Sequence, residues 1–216
     1  MSLSKVRSRM SISLDGYVAG PHQTAETPLG IGGERLHEWF FPTKSFREMH
    51  GQSGGETGID DDMGREAFSN VGAAIIGRNM FGPIRGDWGD GSWRGWWGEN
   101  PPFHYPVFVL THHPREPLVM QGGTTFHFVT EGIESALAQA RAVAGGKDIF
   151  AGGGAQTIRQ YLAAGLVDQL ELQLVPILLG GGERLFDGLG ADAAKFEVIS
   201  AVQGKQVTHL TYRARR

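Results

Sequence analysis

From residue 6 to residue 14 apolar and polar side chains largely alternate, until Asp15-Gly16 breaks the pattern. A period of two lays alternate side chains on one face, so this run predicts a first strand. Ala73-Ala74-Ile75-Ile76, closed by Gly77, and Val107-Phe108-Val109-Leu110, closed by Thr111-His112-His113-Pro114, are short apolar runs of the kind that make buried strands. Phe126, Phe128 and Thr130 lead into Ile133, Leu137, Ala140 and Ala144, whose helical spacing marks an amphipathic helix stopped by Gly145-Gly146. Asp148-Ile149-Phe150-Ala151 reads as another strand, followed by Gly152-Gly153-Gly154 and by a helix with Ile158, Tyr161 and Leu162 on one face and Gly165 as its C-cap. Leu170 to Leu179 reads as a strand ending in Gly180-Gly181-Gly182, and residues 195–203 and 206–213 as a hairpin around Gly204-Lys205. Residues 20–64 and 82–106 show neither period, and stretches of that length are often lids or binding loops. Strand–helix alternation with a final hairpin predicts an α/β fold: a mostly parallel sheet, helices on both faces and an antiparallel edge.

The length, 216 residues, favours one domain over 1–216. Lys and Arg number 20 against 23 Asp and Glu, and the net charge of −3 argues against a dedicated binder of nucleic acid or anionic membrane. No apolar run approaches the roughly 20 residues of a spanning helix. Lys5, Arg7 and Arg9 resemble the basic start of a signal peptide, but Asp15 interrupts the apolar stretch that would have to follow, so a cytoplasmic protein is expected. Cysteine is absent, which excludes a disulfide scaffold, a thiol nucleophile, a Cys-ligated zinc and an iron–sulfur cluster. The 33 glycines fall short of a low-complexity composition once prolines are added, so they need positional explanations.

The most informative glycines are those of Gly152-Gly153-Gly154-Ala155-Gln156-Thr157, between a strand and a helix. A helix start presents unpaired N–H groups, and glycines let a pyrophosphate reach them; a tight strand-to-helix turn packed on its neighbour explains the same residues. The dinucleotide fingerprint of a Rossmann fold fits poorly, because Thr157 stands where its third glycine belongs, and no Gly-Lys-Ser/Thr makes this a P-loop. Gly180-Gly181-Gly182 precedes no clean helix and reads as a turn at a sheet edge, with Glu183 a candidate for a pocket rim. Trp88, Trp93, Trp96 and Trp97 crowd into ten residues, either as an aromatic wall for a flat heterocycle or as an anchored loop or subunit face. Metal motifs fail: Asp87 and Asp90 lack EF-hand spacing, and His37-Glu38 meets Phe41 where a zinc protease needs a second histidine. No G-x-S-x-G nucleophile elbow occurs.

In chain order, four segments resemble the dihydrofolate-reductase-like superfamily and, within it, the reductase domain at the C-terminal end of bacterial riboflavin deaminase–reductases. Ser13-Leu14-Asp15-Gly16-Tyr17-Val18-Ala19 is similar to that family's S-L-D-G loop, and Ile75-Ile76-Gly77-Arg78-Asn79-Met80-Phe81 to its strand–G-R-x-x-[FY] turn. Val109-Leu110-Thr111-His112-His113 resembles its V-L-[ST] junction, and Phe150 to Leu185 its G-G-G, A-G-L-V-D-E-L and P-x-L-L-G-G segment, with Gln169 in place of the usual Glu. The resemblance implies a three-layer α/β/α fold holding NADPH across the carboxyl ends of the strands. It places the pyrophosphate on Gly152 to Thr157, that is on Gly152, Gly153, Gly154, Ala155, Gln156 and Thr157. Phosphate groups meet Gly77, Arg78 and Asn79, the adenosine end lies at Thr111, His112 and His113, and the nicotinamide amide meets backbone at Val18 and Ala19.

For the chemistry, Asp15 is the candidate for a substrate- or water-holding role, with a turn residue as the alternative, and Asp62, Trp88 and Glu183 are candidate substrate contacts. Asp62 stands in Asp62-Met63-Gly64-Arg65-Glu66-Ala67, which loosely echoes a substrate-contacting Asp ahead of Arg-Ala. The carboxylate that dihydrofolate reductases carry on their first helix finds no counterpart in Glu34 to Phe41. A deaminase half is excluded, since its zinc needs cysteines. The expected function is NADPH-dependent reduction of a small pyrimidine- or pteridine-like heterocycle, similar to 5-amino-6-(5-phosphoribosylamino)uracil reductase. The alternatives are a non-catalytic ligand-binding protein on the same fold and a true dihydrofolate reductase. A homodimer is expected, and no metal.

Overall fold

The structure, a computed structural model, describes residues 4–83, 85–190, 193 and 195–215. A nine-stranded sheet runs through it in the order β10-β11-β8-β1-β7-β3-β4-β6-β5. These strands are β1 (Val6–Ser13), β3 (Val71–Gly77), β4 (Pro106–Leu110), β5 (Leu118–Val119), β6 (Thr125–Val129), β7 (Asp148–Ala151), β8 (Gln169–Val175), β10 (Lys195–Gln203) and β11 (Thr208–Arg215). From β8 to β6 every pairing is parallel; β5, β11 and β10 add antiparallel edges. A second, two-stranded sheet pairs β2 (Tyr17–Ala19) with β9 (Glu183–Arg184). The helices are α1 (Lys44–Met49), α2 (Ile59–Phe68), the single turn α3 (Arg78–Phe81), α4 (Ile133–Val143) and α5 (Ala155–Ala163).

Alternation along β3 builds the layers. Ala73 and Ile75 pack with Val6, Ile12, Ile149 and the inner faces of α4 and α5, including Leu137, Ile158, Tyr161 and Leu162. Ala74 and Ile76 point the other way and pack with Phe81, Trp88, Phe103 and Phe126. Ile75 and Ile76, one to each side, contribute roughly 1.5–3 kcal/mol apiece, and β3 thereby ties the two cores together. Over β1 the second face carries α2: the buried Arg7 donates to the carbonyls of Glu66 and Ser69 at 3.2 Å and pairs with Glu171 at 3.0 Å. The expected α/β fold, with a mostly parallel sheet and the final hairpin, is the one observed. Among the described residues no helix is long and apolar enough to cross a membrane.

Several expectations need correction. The strand expected over 170–179 stops at Val175, because β8 is paired on both sides and Pro176 offers no N–H to either. Residues 20–64 are not structureless: they hold a 3-10 turn (Gly33–Leu36), α1 and the start of α2. α2 escapes a hydrophobic reading because its buried positions are Asp60, Asp61, Gly64 and Ala67. Asp61 accepts the Ser45 backbone N–H at 2.6 Å and Arg65 at 3.2 Å, while Asp60 receives the backbone N–H of Lys205 at 3.0 Å and Nε2–H of the buried His209 at 2.7 Å. Two- and three-residue strands such as β2, β5 and β9 are too short to show a period.

Candidate functional site

The sheet order sets the carboxyl ends of β7, β3 and β4 side by side, next to β1. In open α/β sheets such a row of strand ends is where ligands bind. A cavity of about 950 Å³ opens over them and runs on across β1 and β8 to the aromatic residues of 37–46.

At one end the wall is made of turns. Gly153 and Gly154 lead into α5, whose N-cap Gly154 supplies no side chain. The first N–H groups of a helix lack intrahelical partners, so Ala155 and Gln156, both lining the cavity, present donors and the positive end of the helix dipole. Gly77 admits no side chain: a Cβ there would lie 2.3 Å from Thr157 Oγ1. Its N–H donates to Gly153 O at 2.8 Å, locking the β3 turn to the glycine turn. Arg78 stacks on the Trp88 ring at 3.9 Å and donates to Thr111 Oγ1 and Asp87 O, both at 3.4 Å. Burial, with Arg85 close by, lowers its pKa without removing its charge at neutral pH. Asn79, Thr111, His112 and His113 complete this corner, and His113 Nδ1 meets Asp87 at 2.9 Å.

The other end is a polar floor under aromatic walls. Register sets Ser11 of β1, Gln173 of β8 and His209 of β11 in one row across the sheet, with Arg9 and Glu171 in the next. Trp39 donates from Nε1 to Ser11 Oγ at 3.0 Å, and the Arg9 guanidinium lies 5.8 Å over its ring. The rings continue from Trp39 to Phe40 at 5.3 Å and from Phe40 to Phe46 and Phe68 at 5.3 and 6.5 Å. Buried Nη2 of Arg9, Nε2 of Gln173 and Nδ1 of His209 have no hydrogen-bond partner. Burial pushes the Arg9 pKa down to about 10 and that of His37 to about 4, so at neutral pH the arginine is charged and His37 is not. Val18, Ala19 and the rim residue Glu183 line the cavity between the two ends. Glu183 is its only carboxylate among the described residues.

Four expected residues fall elsewhere. Asp15 does not line the cavity: it accepts Ser13 Oγ at 2.5 Å and the N–H groups of Leu179 and Gly180 at 3.1 and 2.7 Å. Those hydrogen bonds, Ser13 first, hold its pKa down at about 2, so it staples the loop after β1 to the loop after β8 and has no proton to give. Asp62 is exposed on α2, away from the cavity, because the helix turns Asp60 and Asp61 inward instead. Trp88 is buried as the platform under Arg78 and donates to His113 O at 2.9 Å. Gly152 is a buried turn residue whose N–H is taken by Ile75 O at 2.8 Å, so the open part of the glycine turn starts at Gly153. Trp93 donates to Phe81 O at 3.0 Å and Trp97 packs on Phe103 and Phe126, so both are half-buried anchors of their loop.

Sequence reasoning missed Arg9, His37, Trp39, Gln173 and the phenylalanine walls. One signal was available: Arg7 and Arg9 on the first strand, and Gln169, Glu171 and Gln173 on β8, are polar at alternate positions of strands that lie inside a sheet.

The profile of the RibD C-terminal domain family matches residues 4–210. A search of curated proteins returns no match. Among solved structures, a putative riboflavin biosynthesis protein from Shewanella sp. PV-4 is similar over 98% of this chain and 99% of its own, with a TM-score of 0.64 and 24% identity. A diaminohydroxyphosphoribosylaminopyrimidine deaminase/5-amino-6-(5-phosphoribosylamino)uracil reductase from Thermotoga maritima is matched over 99% of this chain and 57% of its own, at 0.56 and 14%. A dihydrofolate reductase from Enterococcus faecalis, complexed with NADP(H), is matched over 98% and 97%, at 0.53 and 12%.

Proposed function

The chain belongs to the RibD C-terminal domain family, and from that premise we propose that it is an NADPH-dependent reductase of a small pyrimidine- or pteridine-like heterocycle in the cytoplasm. The observation that carries this reading is the single cavity with an uncapped helix start and Arg78 at one end and a partly unsatisfied polar floor under aromatic rings at the other. The first end suits a dinucleotide, because the turn at Gly153 and Gly154 carries no side chain and lets a pyrophosphate approach the N–H groups of Ala155 and Gln156 closely. Held by Gly153 to Gln156 and Arg78, NADPH would supply a hydride for the electron-poor carbon of a C=N or C=O bond, whose nitrogen or oxygen would take one proton. The polar floor orients the acceptor: Arg9 and Gln173 hold its electronegative atoms, and the rings of Trp39, Phe40 and Phe46 exclude water from its faces. Among the described residues Glu171 of the floor does not reach the cavity and Glu183 is the one carboxylate that lines it, so the proton would come from solvent. The same lack of an acid favours a second reading, a protein that binds nucleotide and ligand without turnover.

The test pairs coenzyme titrations with turnover. Arg78 and Thr111 meet at one corner, where a 2′-phosphate would find charge-assisted donors. Such a contact is typically worth about 1.5–3 kcal/mol, so NADPH should bind at least about tenfold tighter than NADH, and Arg78→Ala should erase most of that gap. Equal losses for both coenzymes would move Arg78 to the pyrophosphate or the scaffold. Steady NADPH oxidation with a heterocyclic substrate selects the reductase; tight binding without oxidation selects the second reading.

A further inference from the structure

Trp88 is buried and does not line the cavity, yet a cavity-lining arginine rests on it: the Arg78 guanidinium lies 3.9 Å over its ring. We propose that Trp88 is a positioning residue for the coenzyme, presenting the edge of Arg78 to a 2′-phosphate, so that the loop carrying Trp88 sets the preference for NADPH over NADH. This rests on the reading of the glycine end as a coenzyme site and names the residue on which the discrimination depends.

The first argument is the geometry of stacking. A guanidinium is planar and its N–H groups all lie in that plane, so a ring against its face restrains it without using a donor. No other arginine among the described residues approaches a ring as closely. In the plane, Arg78 Nη1 donates to Thr111 Oγ1 and Nη2 to the carbonyl of Asp87, both at 3.4 Å. Hydrogen bonds of that length are weak, and a phosphate oxygen would exchange with either at the shorter distance of a charge-assisted bond. The stack therefore orders a long side chain before the ligand arrives, which lowers the entropy lost on binding. Asp87 precedes Trp88, so one loop supplies both the ring and the carbonyl.

The second argument is that the platform is itself fixed to the turn it serves. Trp88 donates from Nε1 to His113 O at 2.9 Å and packs edge-on against Phe81 and Phe128, at 5.8 and 4.9 Å. Asp87 Oδ1 meets His113 Nδ1 at 2.9 Å, and the His113 N–H donates to Thr111 Oγ1 at 3.1 Å. Thr111, His112 and His113 line the cavity beside Arg78. One indole thus sets both the arginine fork and the turn opposite it.

The experiment titrates the whole protein with 2′,5′-ADP and 5′-AMP, which share the adenosine and differ in the 2′-phosphate, with a melting curve for each variant. The wild type should bind 2′,5′-ADP at least about tenfold tighter. Trp88→Phe keeps a weaker ring face and should lose about threefold of that preference. Trp88→Leu, with no face, should lose about tenfold, and 5′-AMP affinity should stay within about twofold in both. Arg78→Lys keeps the charge without the planar fork and should fall with Trp88→Leu. Wild-type preference in folded Trp88 variants would overturn the proposal and leave the coenzyme reading standing. Equal losses of both nucleotides would overturn it too, making Trp88 a packing residue. Should Trp88→Leu fail to fold, undiminished preference in Trp88→Phe and Arg78→Lys would overturn it. A wild type that binds NADPH but prefers neither nucleotide removes the 2′-phosphate contact and the proposal together. Failure to bind NADPH removes the underlying reading.

Discussion

At the glycine end the cavity wall is largely backbone, the N–H groups at the start of α5 and the turns after β3, β4 and β7, with the Arg78 side chain beside them. At the aromatic end it is made of side chains brought from residues 9, 37–46, 68 and 173, held by hydrogen bonds such as Trp39 to Ser11. A backbone cradle recognises what every bound dinucleotide shares. Its geometry is fixed by a few glycines and tolerates almost any change elsewhere. A side-chain pocket recognises one compound, and each residue in it can be exchanged without disturbing the sheet. A change of substrate therefore asks for exchanged side chains at the second end, while a change of coenzyme asks for a different turn at the first.

The contrast is broken most forcefully at Gly77. A Cβ would lie 2.3 Å from Thr157 Oγ1, so the buried Thr157 must leave its rotamer or β3 must move from α5, to which the Gly77 N–H bond to Gly153 O ties it. Gly77→Ala should cost about 1–3 kcal/mol in stability through overpacking, and should weaken NADPH far more than any heterocycle. Urea denaturation and coenzyme titration read the two effects. Full stability and unchanged NADPH affinity would show that the close approach of β3 to α5 is dispensable.

Gly153→Val separates geometry from folding. Its backbone is not among the positive-φ positions, and a Cβ would meet only Met80 Sδ at 3.6 Å and Met10 Cε at 3.8 Å, ordinary contacts. The branched methyls would stand over the donors at the start of α5. NADPH affinity should fall by at least about tenfold, near 1.4 kcal/mol, with stability changed less than in Gly77→Ala. Unaltered affinity in a folded variant would take the pyrophosphate away from this turn.

The same contrast decides what the sequence made legible. Strand β7, the glycine turn and α5 follow one another along the chain, so their periods and punctuation could be read directly, and the meeting of Arg78 with Thr111 needed only the order of two strands. The aromatic end joins β1 and β8 across more than 150 residues of chain, and Arg9 and Gln173 become neighbours only once the register is known. α2 was invisible for a related reason: its buried face is written in carboxylates whose partners, Ser45, Lys205 and His209, are distant in sequence. Asp15 teaches the opposite: a residue type that suggests chemistry has its oxygens engaged by the backbone of another loop, which only the fold reveals.

Asp15 supplies the smallest effect, and a test of where chemistry ends and scaffold begins. Its folded pKa of about 2 lies below the ordinary 3.8, with the Ser13 hydroxyl and the N–H groups of Gly180 and Leu179 favouring the ionised form. A depressed carboxylate pKa stabilises the fold fully above the unfolded value, and the contribution fades as pH falls from about 3.8 through about 2. Asp15→Asn keeps the shape, but its amide can turn only one acceptor oxygen toward three donors. The variant should be modestly less stable than the wild type at pH 7, and the gap should close on acidification, with most of it gone by about pH 2. Because Asp15 lies outside the cavity, kcat/KM at pH 7 should change by less than about threefold. Thermal melts from pH 2 to pH 7, run beside the activity assay, separate the possibilities. A collapse of activity with the melting curve unmoved would return Asp15 to the reaction, and a stability gap undiminished at pH 2 would mean that its charge is not what joins the loops.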